Sequence, residues 1–97
     1  MASTPEAKVK KKVVEALRSL GAYHFYPVTS GYGASGVPDI VGCYRGRFFG
    51  IECKANGNKP TALQQMNLDR ITSVGGIALV IDETNIEDVT KALEKLK

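Results

Sequence analysis

Gly36-Val37-Pro38-Asp39-Ile40-Val41-Gly42-Cys43-Tyr44, Arg45-Gly46, then Arg47-Phe48-Phe49-Gly50-Ile51-Glu52-Cys53-Lys54 is the stretch that decides the fold. It reads as two short apolar strands around an Arg-Gly turn. Strands of this kind hide few charges, yet Asp39, Glu52 and Lys54 lie among Val, Ile, Phe and Gly. With Arg45-Gly46 as a two-residue turn, Tyr44 faces Arg47, Cys43 faces Phe48, Val41 faces Gly50, and Asp39 comes opposite Glu52. Opposed residues on one sheet face have Cβ atoms about 4.5–5.5 Å apart. Two carboxylates that close repel unless a cation lies between them. Lys54, two residues past Glu52, shares its face. Two carboxylates and an ammonium on one face suit a divalent metal and a phosphate.

Working outward on the N-terminal side, Thr29-Ser30-Gly31-Tyr32-Gly33-Ala34-Ser35-Gly36 reads as a loop. Gly31, Gly33 and Gly36 spell G-x-G-x-x-G, but a dinucleotide site needs a helix directly after the glycines. Val37-Pro38-Asp39-Ile40-Val41 reads as strand instead, which excludes that site. A Gly/Ser/Tyr loop beside a metal site can close over a substrate backbone. Tyr23-His24-Phe25-Tyr26-Pro27-Val28 reads as an earlier strand. Before it, Thr4 caps a helix with Pro5 in its first turn, or Ser3 pairs with Glu6 as a capping box. Val9, Val13, Ala16, Leu17 and Leu20 form that helix's apolar stripe, and Gly21 stops it. Glu6 lies three residues before Val9 and so falls on the stripe, either as an acid favoured by the helix dipole or as an accessory acid of the site. Lys8, Lys10, Lys11, Lys12 and Arg18 mostly face away, as a solvated face or as phosphate contacts.

On the C-terminal side, Ala55-Asn56-Gly57-Asn58-Lys59-Pro60 is a turn cluster. Thr61 caps a second helix running to about Val74. Gln64 shares a face with Leu68 and Ile71, toward the sheet, while Gln65 shares a face with Asp69 and Thr72, toward water. After Gly75-Gly76, the apolar run Ile77-Ala78-Leu79-Val80-Ile81 reads as a strand buried on both faces. Thr84 with Glu87 forms a capping box for a last helix with stripe Ile86, Val89, Leu93 and Leu96. The order αβββαβα predicts an α/β fold, a small mixed sheet flanked by helices.

The chain has 97 residues, 43% hydrophobic and 24% charged, with a net charge of +3. That fits one domain, residues 1–97, with an anionic partner such as nucleic acid mildly favoured. No apolar run approaches the roughly 20 residues of a membrane span, and no secretory signal is visible, so a cytoplasmic location is expected. Cys43 and Cys53 lack zinc-ligand spacing, and the hairpin register sets them roughly 17 Å apart along the strands, too far for a disulfide. Both are expected to be buried thiols.

Pro38-Asp39 followed by Glu52-Cys53-Lys54 resembles the PD-(D/E)XK nuclease superfamily. Gly36-Val37-Pro38-Asp39, Ile51-Glu52-Cys53-Lys54, Thr61-Ala62-Leu63-Gln64 and Gly75-Gly76-Ile77-Ala78 follow the order and spacing of the VRR-NUC (virus-type replication-repair nuclease) domain in its stand-alone phage and bacterial form. The resemblance implies a restriction-endonuclease-like core and a Mg²⁺- or Mn²⁺-dependent phosphodiesterase acting on DNA, in some relatives on branched structures. It implies that Asp39 and Glu52 are metal ligands, Lys54 the catalytic lysine, Gln64 the helix glutamine and Glu6 the acidic residue of the first helix. Cys53 fills the variable position, so its side chain carries no role.

The residues point the same way by their own chemistry. Hard oxygen ligands without His or Cys partners select Mg²⁺ or Mn²⁺ over zinc. The carbonyl of Ile51 or Cys53 can add a ligand beside Glu52. Lys8, Lys11, Lys12, Arg45 and Arg47 are the expected phosphate contacts. One such site cuts one strand, so a homodimer or higher homo-oligomer is expected for junctions or duplex. Plain duplex or single-stranded DNA as substrate, and a binding module without catalysis, are the alternatives.

Overall fold

In a computed structural model, residues 4–28 and 36–96 are described. The chain runs α1 (Pro5–Leu20), β1 (Tyr23–Phe25), β2 (Ile40–Tyr44), β3 (Arg47–Cys53), α2 (Ala62–Ser73), β4 (Ile77–Ile81) and α3 (Asp88–Glu94). This is the expected αβββαβα order. The four strands form one sheet in the order β1-β2-β3-β4. The first two pairings are antiparallel and β3–β4 is parallel.

The hairpin forms in the expected register. Val41 pairs with Gly50, Cys43 with Phe48 and Tyr44 with Arg47. Arg45 and Gly46 both take positive φ, 51° and 80°. A two-residue turn of that kind matches the right-handed twist of its strands, and Gly46 supplies half of it without strain. The register carries on past the last paired residues to set Asp39 opposite Glu52.

Alternation along β3 sorts its residues onto two faces. Phe49, Ile51 and Cys53 enter one core with Val9, Val13 and Leu17 of α1 and Val89 and Leu93 of α3. The opposite face carries Gly50, Glu52 and, just past the strand, Lys54. A Cβ on Gly50 would come within 2.6 Å of Ile71 Cδ1 and 2.9 Å of Pro38 Cγ. The bare backbone there lets α2 and Pro38 settle onto the sheet beside Glu52.

Several local expectations need correction. The first strand ends at Phe25 instead of Val28, because Pro27 cannot donate to a ladder. β4 is not buried on both faces: it is an edge strand, Val80 is 36% exposed, and within it only Ile81 is buried. The Thr84–Glu87 capping box does not form. Thr84 gives its N–H and hydroxyl to Asp82 Oδ1 at 2.8 and 2.6 Å, and α3 starts at Asp88 without a side-chain cap. An Asx-type turn has captured the residues that a helix start would use. Cys43 is exposed and Cys53 buried, since α2 packs on β3 and β4 and does not reach the Cys43 side of β2. Ser3, Gly31 and Gly33, with the loop read as closing over substrate, lie outside the described residues.

Candidate active site

Three elements converge at the end of the hairpin remote from its turn. Thr4 caps α1 by accepting from the Ala7 N–H at 3.0 Å, with Pro5 in the first turn. That fixes Glu6 in the first turn, where the helix dipole favours an acid. Pro38 carries the chain into β2 and leaves Asp39 at the strand's mouth. The Asp39 carboxylate accepts the Cys53 N–H at 2.8 Å, which ties it to the end of β3. Glu52 and Lys54 stand at that same end.

Glu6, Asp39 and Glu52 each bring one carboxylate oxygen to within 4.8 Å of the other two. Glu52 is 2% exposed, and its Oε1 has no hydrogen-bond partner among the described residues. Its nearest cation is Lys54, whose Nζ is 3.8 Å from Oε2. That is an ion pair too long to be a hydrogen bond. Burial, then the negative charge of the adjoining Asp39, push the Glu52 carboxyl up to about 8; Lys54 opposes the shift and Glu6 adds to it. A buried carboxylate with one unpartnered oxygen, set beside two more carboxylates, is costly unless a cation joins them. The all-oxygen donor set fits a hard divalent ion. Within a strand, one residue's N–H and C=O point to the same side. The Cys53 carbonyl is therefore turned to the Asp39 side, while the Ile51 carbonyl belongs to the ladder with Ile40. The Cys53 thiol is buried and pushed up to about 12, mainly by burial, so it is a protonated packing group.

A cleft of about 430 Å³ opens onto this cluster, lined among others by Glu6, Lys10, Asp39, Cys53, Asn56 and Asn58. Lys10 lines it one turn after Glu6. Sequence reasoning counted Lys10 in the outward basic run, although its i+4 spacing from Glu6 already put both on one face. Asn56 and Asn58 follow Lys54 closely enough that the turn cluster could not leave the site.

The remaining expected residues are more dispersed. Lys11 lines a groove next to the cleft, whereas Lys8 and Lys12 line another hollow with Glu83 and Ile86. Arg45 stands at the hairpin turn over the Tyr44 ring, roughly 20 Å of strand from Asp39. Arg47 donates to the Gly75 carbonyl at 2.7 Å and ties the turn before β4 to β3. Helix phase is as read: Gln64 is half-buried, and Gln65 is exposed and bonded to Asp69 at 2.9 Å. The Gln64 side-chain oxygen, however, accepts the Thr61 N–H at 2.9 Å while Thr61 caps the Gln64 N–H, a complete capping box.

The mixed sheet with an acid from the first helix and an Asp, Glu, Lys set at the hairpin's end makes up a small α/β domain with one acidic cluster among the described residues. No protein-family model matches the chain. It is 30% identical over 89 residues, 91% of its length and 94% of the other's, to a protein of Acyrthosiphon pisum secondary endosymbiont phage 1 named "Putative nuclease p44". Its fold matches a solved "VRR_NUC domain protein" with a TM-score of 0.67 at 17% identity, over 99% of this chain and 93% of that one. The chain belongs to the family of that phage protein and has the fold of the VRR_NUC domain protein.

Proposed function

We propose that this protein is a divalent-metal-dependent nuclease, an endonuclease that hydrolyses phosphodiester bonds in branched or structured DNA. The observation that carries this is the cluster of Glu6, Asp39 and Glu52, with its unpartnered buried oxygen and Lys54 alongside. Asp39, Glu52 and Glu6 would hold the ion, with the Cys53 carbonyl as a further oxygen. Mg²⁺ or Mn²⁺ bound there supplies charge to polarise the scissile phosphate and lower the pKa of a bound water.

Lys54 contributes a fixed ammonium to the water or to the phosphate oxygens as negative charge builds. Lys10 on the cleft wall holds the DNA backbone, and Lys11 extends that contact. Lys8, Lys12, Arg45 and Arg47 are available to more distant arms of a large substrate. Gln64 orders the start of α2 over the Glu52 face and, through its amide nitrogen, is available to water or Lys54. Residues 1–97 act as one catalytic unit in the cytoplasm, and two copies would serve the two strands of a junction or duplex.

The test is cleavage of labelled junctions, flaps, duplexes and single strands with Mg²⁺, Mn²⁺ or EDTA, using wild type, Asp39→Asn and Glu52→Gln. Asn at 39 keeps an acceptor for the Cys53 N–H, which Ala would leave unpaired. Cleavage should need the metal and vanish in both variants. Cleavage in EDTA, or full activity in Asp39→Asn, would refute the proposal.

A further inference from the structure

Beside the acidic cleft runs a second groove of about 360 Å³, lined by Lys10, Lys11, Glu15, Arg18 and Tyr26 among others. Lys10 belongs to both, so the two form one track along α1. From Lys10 to Arg18 the helix advances about 12 Å, the length of roughly three nucleotides of stacked strand at 3.4 Å each. Three cations against the single Glu15 give the groove the charge of a phosphate track. At its side stands Tyr26, 47% exposed, with the Lys10 ammonium 4.7 Å from its ring centroid and His24 meeting it edge-on.

We infer that this groove is a binding site for an unpaired nucleic-acid strand leading to or from the acidic cluster, with phosphates on Lys10, Lys11 and Arg18 and one base stacked on Tyr26. In a duplex the base faces are covered by neighbouring pairs, so an accessible aromatic beside a row of cations recognises only an unstacked base. Continuity with a site that fits a metal and a phosphodiester favours a nucleic acid over any other polyanion. The inference deepens the nuclease proposal and rests on it for the direction of the strand, but binding itself requires no chemistry.

The test is binding of a labelled oligothymidylate and of a duplex of equal length, in EDTA, by fluorescence anisotropy. Tyr26→Ala should weaken the single strand about 5- to 150-fold, the range for removal of one base–aromatic stack. Tyr26→Phe should stay within about twofold of wild type, and the duplex should change by less than about twofold in either variant. Arg18→Ala should reduce the slope of log affinity against log salt by about 0.7. Thermal melts of each variant serve as the fold control. Unchanged single-strand binding by Tyr26→Ala, or equal losses for single strand and duplex, would overturn the inference. If no DNA is cut with any metal while the Tyr26 dependence holds, the nuclease reading fails and the groove stands. If DNA is cut and Tyr26→Ala binds as wild type, the groove falls alone.

Discussion

Glu52→Gln tests whether the acidic cluster is built around a cation. In the metal-free protein the Glu52 carboxyl is pushed up from 4.5 to about 8, chiefly by burial and then by Asp39. Below the lower value both folded and unfolded chains hold the proton. Between the two, the folded chain keeps a proton that the unfolded chain has released, so stability falls as pH rises. Above the upper value both are ionised and the loss is complete. For one proton the slope cannot exceed about 1.4 kcal/mol per pH unit. From about pH 6 to about pH 7.5 this amounts to roughly 2 kcal/mol, or about 8–16 °C in Tm for a domain of this size. Gln keeps the shape and removes the titration. The assay is thermal melting of both proteins in EDTA across that range, where the difference between the two curves isolates Glu52 from every other titrating group. Wild type should lose ground steadily to Glu52→Gln as pH rises. Adding Mg²⁺ or Mn²⁺ should reverse the order, since an ion at 100 times its Kd stabilises the protein that binds it by about 2.7 kcal/mol. Parallel curves in EDTA, or equal stabilisation of both proteins by the metal, would refute the reasoning.

Gln64→Ala should cost about 1 kcal/mol by opening the capping box, while Gln64→Glu keeps the box and the melt but removes the amide donor. A loss of single-turnover cleavage in Gln64→Glu at unchanged stability would assign the amide to the chemistry, and full activity would leave it a cap. Gln65→Ala should stay within about 0.5 kcal/mol of wild type in thermal melts. Lys10→Ala should weaken binding of a short duplex and lower its salt slope by about 0.9, whereas Arg45→Ala, at the far end of the hairpin, should leave both unchanged in the same titration. In the native protein one thiol should react with a thiol reagent, Cys43, with Cys53 labelled only after unfolding.

The hairpin was legible because its register follows from one turn. Arg45-Gly46 fixes every pairing, and a period of two then sets Asp39 against Glu52 and Lys54 on the same face. The α1 cap was legible because Thr4, Pro5 and Glu6 are local signals. The segment after β4 was not, because Thr84 and Glu87 spell a helix start while Asp82 and Asn85 offer the same backbone an Asx turn, and only the closer partners win. Burial of Cys43 and β4 was misjudged for a different reason. Apolar composition says that a strand can be covered, not where it falls in the sheet or whether a neighbour reaches it: α2 packs on β3 and β4 and leaves Cys43 open, while β4 is exposed because it is an edge strand. Lys10 escaped notice because four lysines within five residues look alike until the helix is docked against the hairpin.

Docking α1 is also what completes the site. A sheet alone could bring together Asp39, Glu52 and Lys54, but it would leave two carboxylates against one ammonium at 3.8 Å. The first turn of α1 adds a third acid, which by itself makes the repulsion worse. It also brings the positive end of a 16-residue helix to the cleft, with Thr4, Pro5 and Ala7 on the wall beside Glu6. The dipole offsets part of that charge at a few tenths to about 1 kcal/mol per acid, far less than burying Glu52 without a partner would cost. In the proposed function the remainder is left to a bound cation. A site balanced in this way is more stable loaded than empty, so metal affinity and folding stability should change together in any variant of Glu6, Asp39 or Glu52. Substitutions at Lys10 or Tyr26 should change nucleic-acid binding and leave both untouched.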